Sequence, residues 1–132
     1  MIFKATARKA ARRHDRGSGP VEFAVLAFPL LLLTFMVVQA AFVFYARSTA
    51  LAAATQGANA ARAYNAPLAS GSAKANDFLT RIGPGLKNPS VTLRSTGTQV
   101  TVTVSGEAQT ILPFVRFPVT QSATGPIERF TT

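Results

Sequence analysis

One histidine and five carboxylates are the side chains of this 132-residue chain best suited to acid–base chemistry near neutral pH. Their positions speak against catalysis. His14 lies in the N-terminal tail, ahead of a long apolar run, so it can form no Ser-His pair with anything beyond that run. Asp77, Glu107 and Glu128 follow the run, 30 and 21 residues apart, and none belongs to a motif that pairs two carboxylates or binds a metal. There is no cysteine, which excludes disulfides and thiolate metal sites. No phosphate-binding or dinucleotide fingerprint occurs, so neither an enzyme nor a cofactor is expected. The informative carboxylate is Glu22, which stands at the very start of the apolar run. There it can reach water, and a charge at a membrane boundary costs far less than one at the centre. The first turn of a helix would also favour an anion there.

The element that positions Glu22 is the apolar run itself. Phe23 to Ala46 spans 24 residues without a charged side chain, and only Thr34 and Gln39 are polar. As a helix it is about 36 Å long, enough to cross a hydrocarbon core of about 30 Å with some tilt. The run is longer than a cleavable secretory signal and ends in no small-residue cleavage site, so a retained helix is expected. Pro29 removes one backbone hydrogen bond within it, which predicts a kink or a local loosening. Gln39 is either a hydrogen-bond partner for a neighbouring helix or an amide satisfied locally. Tyr45 and Arg47 mark the far boundary.

Charge supports the same topology. The net charge is +9, but Lys4, Arg8, Lys9, Arg12, Arg13 and Arg16 all precede the run, and the residues after Arg16 carry only +4. A basic tail before a long apolar stretch is the positive-inside signal, which predicts a cytoplasmic N-terminus and an outer C-terminal domain. The eight later basic residues are scattered, so no nucleic-acid partner is expected. A salt-dependent DNA shift would be needed to revive that reading.

Beyond the membrane the helical pattern continues. Ala46, Ala50, Ala54 and Ala58 recur every four residues, and Ala53, Gly57 and Ala61 form a parallel row. Both rows lie on one side of a helix, a face that another helix or a sheet can approach closely. Asn65-Ala66-Pro67 should end it. Ser70-Gly71-Ser72 opens a short second helix with Ala73, Phe78, Leu79 and Ile82 as apolar positions, an Asp77–Arg81 pair one turn apart, and a stop at Gly83-Pro84-Gly85. Val91 and Leu93 alternate with Thr92 and Arg94. After a Thr96-Gly97 turn, Val100, Val102 and Val104 alternate with Thr101 and Thr103. This period of two predicts an antiparallel hairpin with one apolar face. Pro118 to Thr124 should return as a third strand, and Pro113, Pro118 and Pro126 favour an edge position for it. The valine face should lie on the alanine-rich helix or on the second helix. The fold class is therefore α+β.

Around Glu22 the residues run Arg16-Gly17-Ser18-Gly19-Pro20-Val21-Glu22-Phe23. This resembles the type IV prepilin signal, a glycine followed five residues later by Glu and then an aromatic. Residues 16–64 are similar, more narrowly, to the TadE-like pseudopilins of tight-adherence (Tad/Flp) pilus systems. The shared features are Arg-Gly before the helix, Val-Glu-Phe-Ala at its start, a proline six residues after Phe23, and the Ala/Gly-rich continuation around Gly57. The closing PFVRFPVTQSATGPIERF resembles the family's last strand and tail. Gln39, Gln56 and Asn59 depart from its commoner charged residues, so charged contacts at those positions are not carried over.

The resemblance implies a pilin-like architecture with a leader at 1–17, a membrane helix at 18–46, its outer continuation at 47–65 and a small α+β domain at 66–132. It implies cleavage by a prepilin peptidase between Gly17 and Ser18, which would leave Glu22 and Phe23 as the fifth and sixth residues of the mature chain. Glu22 would neutralise the N-terminal amine of an adjacent subunit, and Ala46, Ala50, Ala54, Gly57 and Ala58 would line helix or subunit contacts. The implied partners are the peptidase, other pilins or pseudopilins, the assembly platform and membrane lipid. The implied location is the cytoplasmic (inner) membrane, or a pilus. The alternative is an uncleaved single-pass anchor whose outer domain binds a secretion-apparatus or cell-envelope partner.

Overall fold

A computed structural model describes residues 18–129. The element order is α1 (Ser18–Ala61), α2 (Leu68–Ile82), β1 (Leu86–Ser95), β2 (Gln99–Ala108) and β3 (Pro118–Pro126). The architecture is α+β with a three-stranded antiparallel sheet in the order β1-β2-β3, as the alternation of valine and threonine predicts. The chain divides into two compact units, the first ending at Val37 and the second running from Val38 to Thr132.

The described part of the first unit is a single stretch of helix. Its large apolar side chains, from Val21 and Phe23 through Leu31 to Val37, are all exposed. A helix apolar all round with nothing covering it is suited to lipid. The helical assignment runs through Pro29 without a break. The Thr34 hydroxyl donates to the Leu30 carbonyl at 2.9 Å, which satisfies the polar side chain locally. α1 is long and apolar enough to cross a membrane.

The second unit holds the core. Val100, Val102 and Val104 of β2 are its largest fully buried side chains, and Ala46, Ala50, Ala53, Ala54, Ala58 and Ala61 of α1 are buried with them. Small residues on the helix and β-branched residues on the sheet let the two backbones approach closely. Val91 and Leu93 of β1 and Ala123 of β3 flank this centre. The pairing sets Val91 opposite Val104 and Leu93 opposite Val102, so the apolar residues of β1 and β2 share one face. On the other face Thr101 pairs with Thr124 and Thr103 with Ser122, each through hydroxyls 2.9 Å apart.

α1 ends at Ala61, four residues before Asn65, which adopts a left-handed φ of 53°. α2 presents Gly71, Ala75 and Leu79 as its buried stripe. The sequence pattern placed Ala73 on the apolar side, but Ala73 is exposed. The buried row runs instead through Gly71 and Ala75, two residues to either side of it, and a Cβ at position 71 would have no room. Gly83, at φ 83°, ends α2, and the Asp77–Arg81 pair forms at 3.1 Å on the exposed side. β1 shifts register between Lys87 and Ser90, where Asn88 has a positive φ and Pro89 follows. β1 and β3 are the two sheet edges, and β3 begins and ends with proline.

Candidate functional site

The residues that the sequence singles out fall in two places. The first is the start of α1. Gly17 lies outside the described residues, and the helix begins at Ser18. Glu22 is exposed and lies past the first turn, which contains no acidic residue. Its expected place in the first turn is therefore corrected: the helix starts a full turn earlier, so the terminal N–H groups are too far along the axis for dipole stabilisation to account for it. Among the described residues no ion pair includes Glu22. Phe23 is 76% exposed. A carboxylate and an aromatic ring thus stand uncovered, side by side in sequence, at the head of an apolar helix.

The second place is the small-residue face of α1. Ala46, Ala50, Ala54, Gly57 and Ala58 are all buried inside this one chain. Gly57 is the tightest point, and Gly71 of α2 is its counterpart. A Cβ built on Gly57 would stand 2.9 Å from the Gly71 carbonyl oxygen and 3.2 Å from Val102 Cγ1. A Cβ on Gly71 would stand 2.9 Å from the Gly57 carbonyl oxygen, 2.8 Å from Ala61 Cβ and 2.7 Å from Leu93 Cδ2. The two glycines open the space for each other, and helices α1 and α2 cross there on the valine face of the sheet.

Gln39 has a role that sequence reasoning missed. It is 7% exposed. Its Nε2 donates to the Gln109 carbonyl at 3.0 Å, and its Oε1 accepts the Ile111 amide N–H at 3.1 Å. The side chain of Gln109 in turn donates to the Pro84 carbonyl at 2.6 Å. One amide on α1 thereby holds the loop between β2 and β3. Its partner groups are backbone atoms 70 and 72 residues away, which no local spacing announces. Tyr45 also does more than mark a boundary: a Cβ on Gly85 would collide with its ring, so the glycine makes room for the aromatic.

Asp77 pairs with Arg81 on α2, and Glu107 of β2 lies 3.9 Å from Arg116 on an exposed surface. Among the described residues no group of three or more His, Asp or Glu side chains is placed to hold a metal ion.

No curated protein and no solved structure matches the chain significantly. The family model described as TadE-like protein matches residues 17–59. The matched stretch begins at Gly17, contains Glu22, Phe23 and Gln39, and ends just past Gly57 and Ala58. This family is one of pilus-associated structural proteins. Over residues 17–59 the chain is similar to the TadE-like family.

Proposed function

We propose that this chain is a minor pilin or pseudopilin that takes part in assembling a Tad-type pilus, acting through helix packing without catalysis. The observation that carries the proposal is the uncovered Glu22-Phe23 pair at the head of an exposed apolar helix, inside the segment that matches the TadE-like family. A prepilin peptidase would cut between Gly17 and Ser18, removing the basic leader and freeing the Ser18 amine. The new terminus would coincide with the start of α1. Glu22 would then pair with the amine of an adjacent subunit. Two charges moved together out of water must be paired and hydrogen-bonded, because an unpaired charge in a low-dielectric core is strongly destabilising.

The division of labour along α1 follows from burial. The small-residue face from Ala46 to Ala61 already packs the chain's own sheet and α2. Contacts with other pilus components would therefore use the exposed apolar side chains between Val21 and Val37. The chain would sit in the cytoplasmic membrane with its N-terminus inside, and its partners would be the peptidase, other pilins or pseudopilins, and the assembly platform.

The test is the N-terminus of the membrane-extracted protein, by intact mass, with a cognate prepilin peptidase present and absent. A peptidase-dependent start at Ser18, lost in Gly17→Leu, is the expected result. A Met1 terminus that persists beside active peptidase would refute processing and leave an uncleaved anchor. Glu22→Gln separates cutting from assembly: it should still be cleaved but fail to co-purify with other pilus components.

A further inference from the structure

We infer that the loop between β2 and β3 is a second membrane-contacting element, whose Ile111, Leu112, Phe114 and Val115 side chains enter the lipid where the span ends. The inference rests on the membrane reading of α1 and is independent of the pilus role.

The loop is ordered, and its apolar side chains are left outside. The Ala108 amide donates to the Phe117 carbonyl at 2.9 Å and closes its base. The Leu112 amide donates to the Thr110 hydroxyl at 3.0 Å, and the Val115 amide to the Leu112 carbonyl at 3.5 Å. Pro113 stiffens the turn. Within this frame Phe114 is 96% exposed, and Ile111, Leu112 and Val115 are exposed beside it. Four neighbouring large apolar side chains held in water by a structured loop mark a contact surface.

Gln39 identifies the occupant. Counted from Phe23, the first residue past Glu22, about 20 residues of helix cross a hydrocarbon core of about 30 Å and bring its far boundary to the early forties of the chain. The second unit begins at Val38, and the very next residue holds the backbone of Gln109 and Ile111. The loop is therefore tied to α1 at Gln39, a residue of the apolar run itself. Apolar side chains at the level of that residue meet the boundary between headgroups and acyl chains, where amphipathic segments bind. Lys87 lines one hollow with Phe114 and with the Arg116–Glu107 pair, so one net positive charge flanks the apolar tip, on the side where lipid phosphates would lie. The span would then end short of Ala46, whose side chain is fully buried in the second unit.

The chain has no tryptophan, so a single introduced Trp reports its own surroundings. The full-length protein is reconstituted in phosphatidylcholine–phosphatidylglycerol bilayers that carry bromine either high or low on the acyl chains. Phe114→Trp should show blue-shifted emission and lose intensity chiefly to the shallow bromines. Leu112→Trp should repeat this, guarding against a perturbed turn. Thr98→Trp, in the hairpin turn at the opposite end of β2, should emit as in water and lose none. Phe28→Trp, within the span, should be quenched by the deep bromines. Unquenched Trp at both 114 and 112, beside a quenched Phe28→Trp, would overturn the loop proposal and leave the span intact. A blue shift at 114 without lipid quenching, fading as protein is diluted in lipid, would overturn it in favour of a second copy. An unquenched Phe28→Trp would sink the membrane reading and this inference together.

Discussion

The reciprocal glycines at the α1–α2 crossing make a prediction that can be worked through. In Gly57→Ala the new methyl meets the Gly71 carbonyl oxygen at 2.9 Å, with Ala75 Cβ and Val102 Cγ1 at 3.2 Å. In Gly71→Ala it meets Leu93 Cδ2, Ala61 Cβ and the Gly57 carbonyl oxygen, all below 3.0 Å. Leu93 can rotate, but a backbone oxygen and an alanine Cβ move only if a helix moves. Overpacking of this kind costs roughly 1–3 kcal/mol. Replacing glycine by alanine within a helix returns about 1 kcal/mol of propensity. The net should be a loss of about 0–2 kcal/mol for Gly57→Ala, and the upper half of that range for Gly71→Ala, which makes the closer contacts. One displacement of α2 relieves both clashes, so the double variant should cost less than the sum by about 0.5–1 kcal/mol. Native-state hydrogen exchange of the full chain in bilayer discs, followed at the Val102 and Val104 amides, measures this directly. Each 1.4 kcal/mol appears as about a tenfold faster exchange. If both single variants slowed exchange, propensity alone would be acting and the close crossing would be refuted. Strict additivity in the double variant would refute the shared displacement.

Three further outcomes follow from the same geometry. Gln39→Glu places a carboxylate oxygen against the Gln109 carbonyl in place of a donor. It should unlatch the loop at a cost of about 1–3 kcal/mol, seen as faster exchange at the Ile111 amide, while Val102 stays protected. Val102→Ala empties part of the fully buried centre of β2 and should lower the stability of the second unit by about 2–3 kcal/mol in denaturant unfolding. Gly85→Ala drives a methyl into the Tyr45 ring and should destabilise by about 1–3 kcal/mol; adding Tyr45→Ala should recover part of that loss.

The parts of this fold legible in the sequence are those governed by short periods. Val100, Val102 and Val104 alternate with threonines over one strand, and the turn at Gly97 has the positive φ of 86° that a glycine supplies freely. The four-residue spacing from Ala46 to Ala58 likewise describes one face of one helix. What escaped the pattern depends on partners far along the chain. Gly71 and Ala75 look like helix surface until Gly57 and Leu93 are known to face them. Gln39 looks like an isolated membrane amide because its partners are backbone groups of the β2–β3 loop. Glu22 was misplaced by one turn because the apolar run starts only at Phe23, whereas the helix already runs from Ser18. The Gly17–Glu22–Phe23 spacing was readable, but only as a family resemblance, since exposed residues leave no trace of what will cover them.

The two edges of the sheet bear on crowding. β3 opens with Pro118 and closes with Pro126, and β1 carries Pro89 beside a register shift. Each proline lacks the donor that a neighbouring strand would need, and the shift bends the ladder away from a flat template. Many copies packed side by side on one membrane would otherwise be at risk of zipping strand to strand into continuous aggregates. With both margins blunted, that route is discouraged.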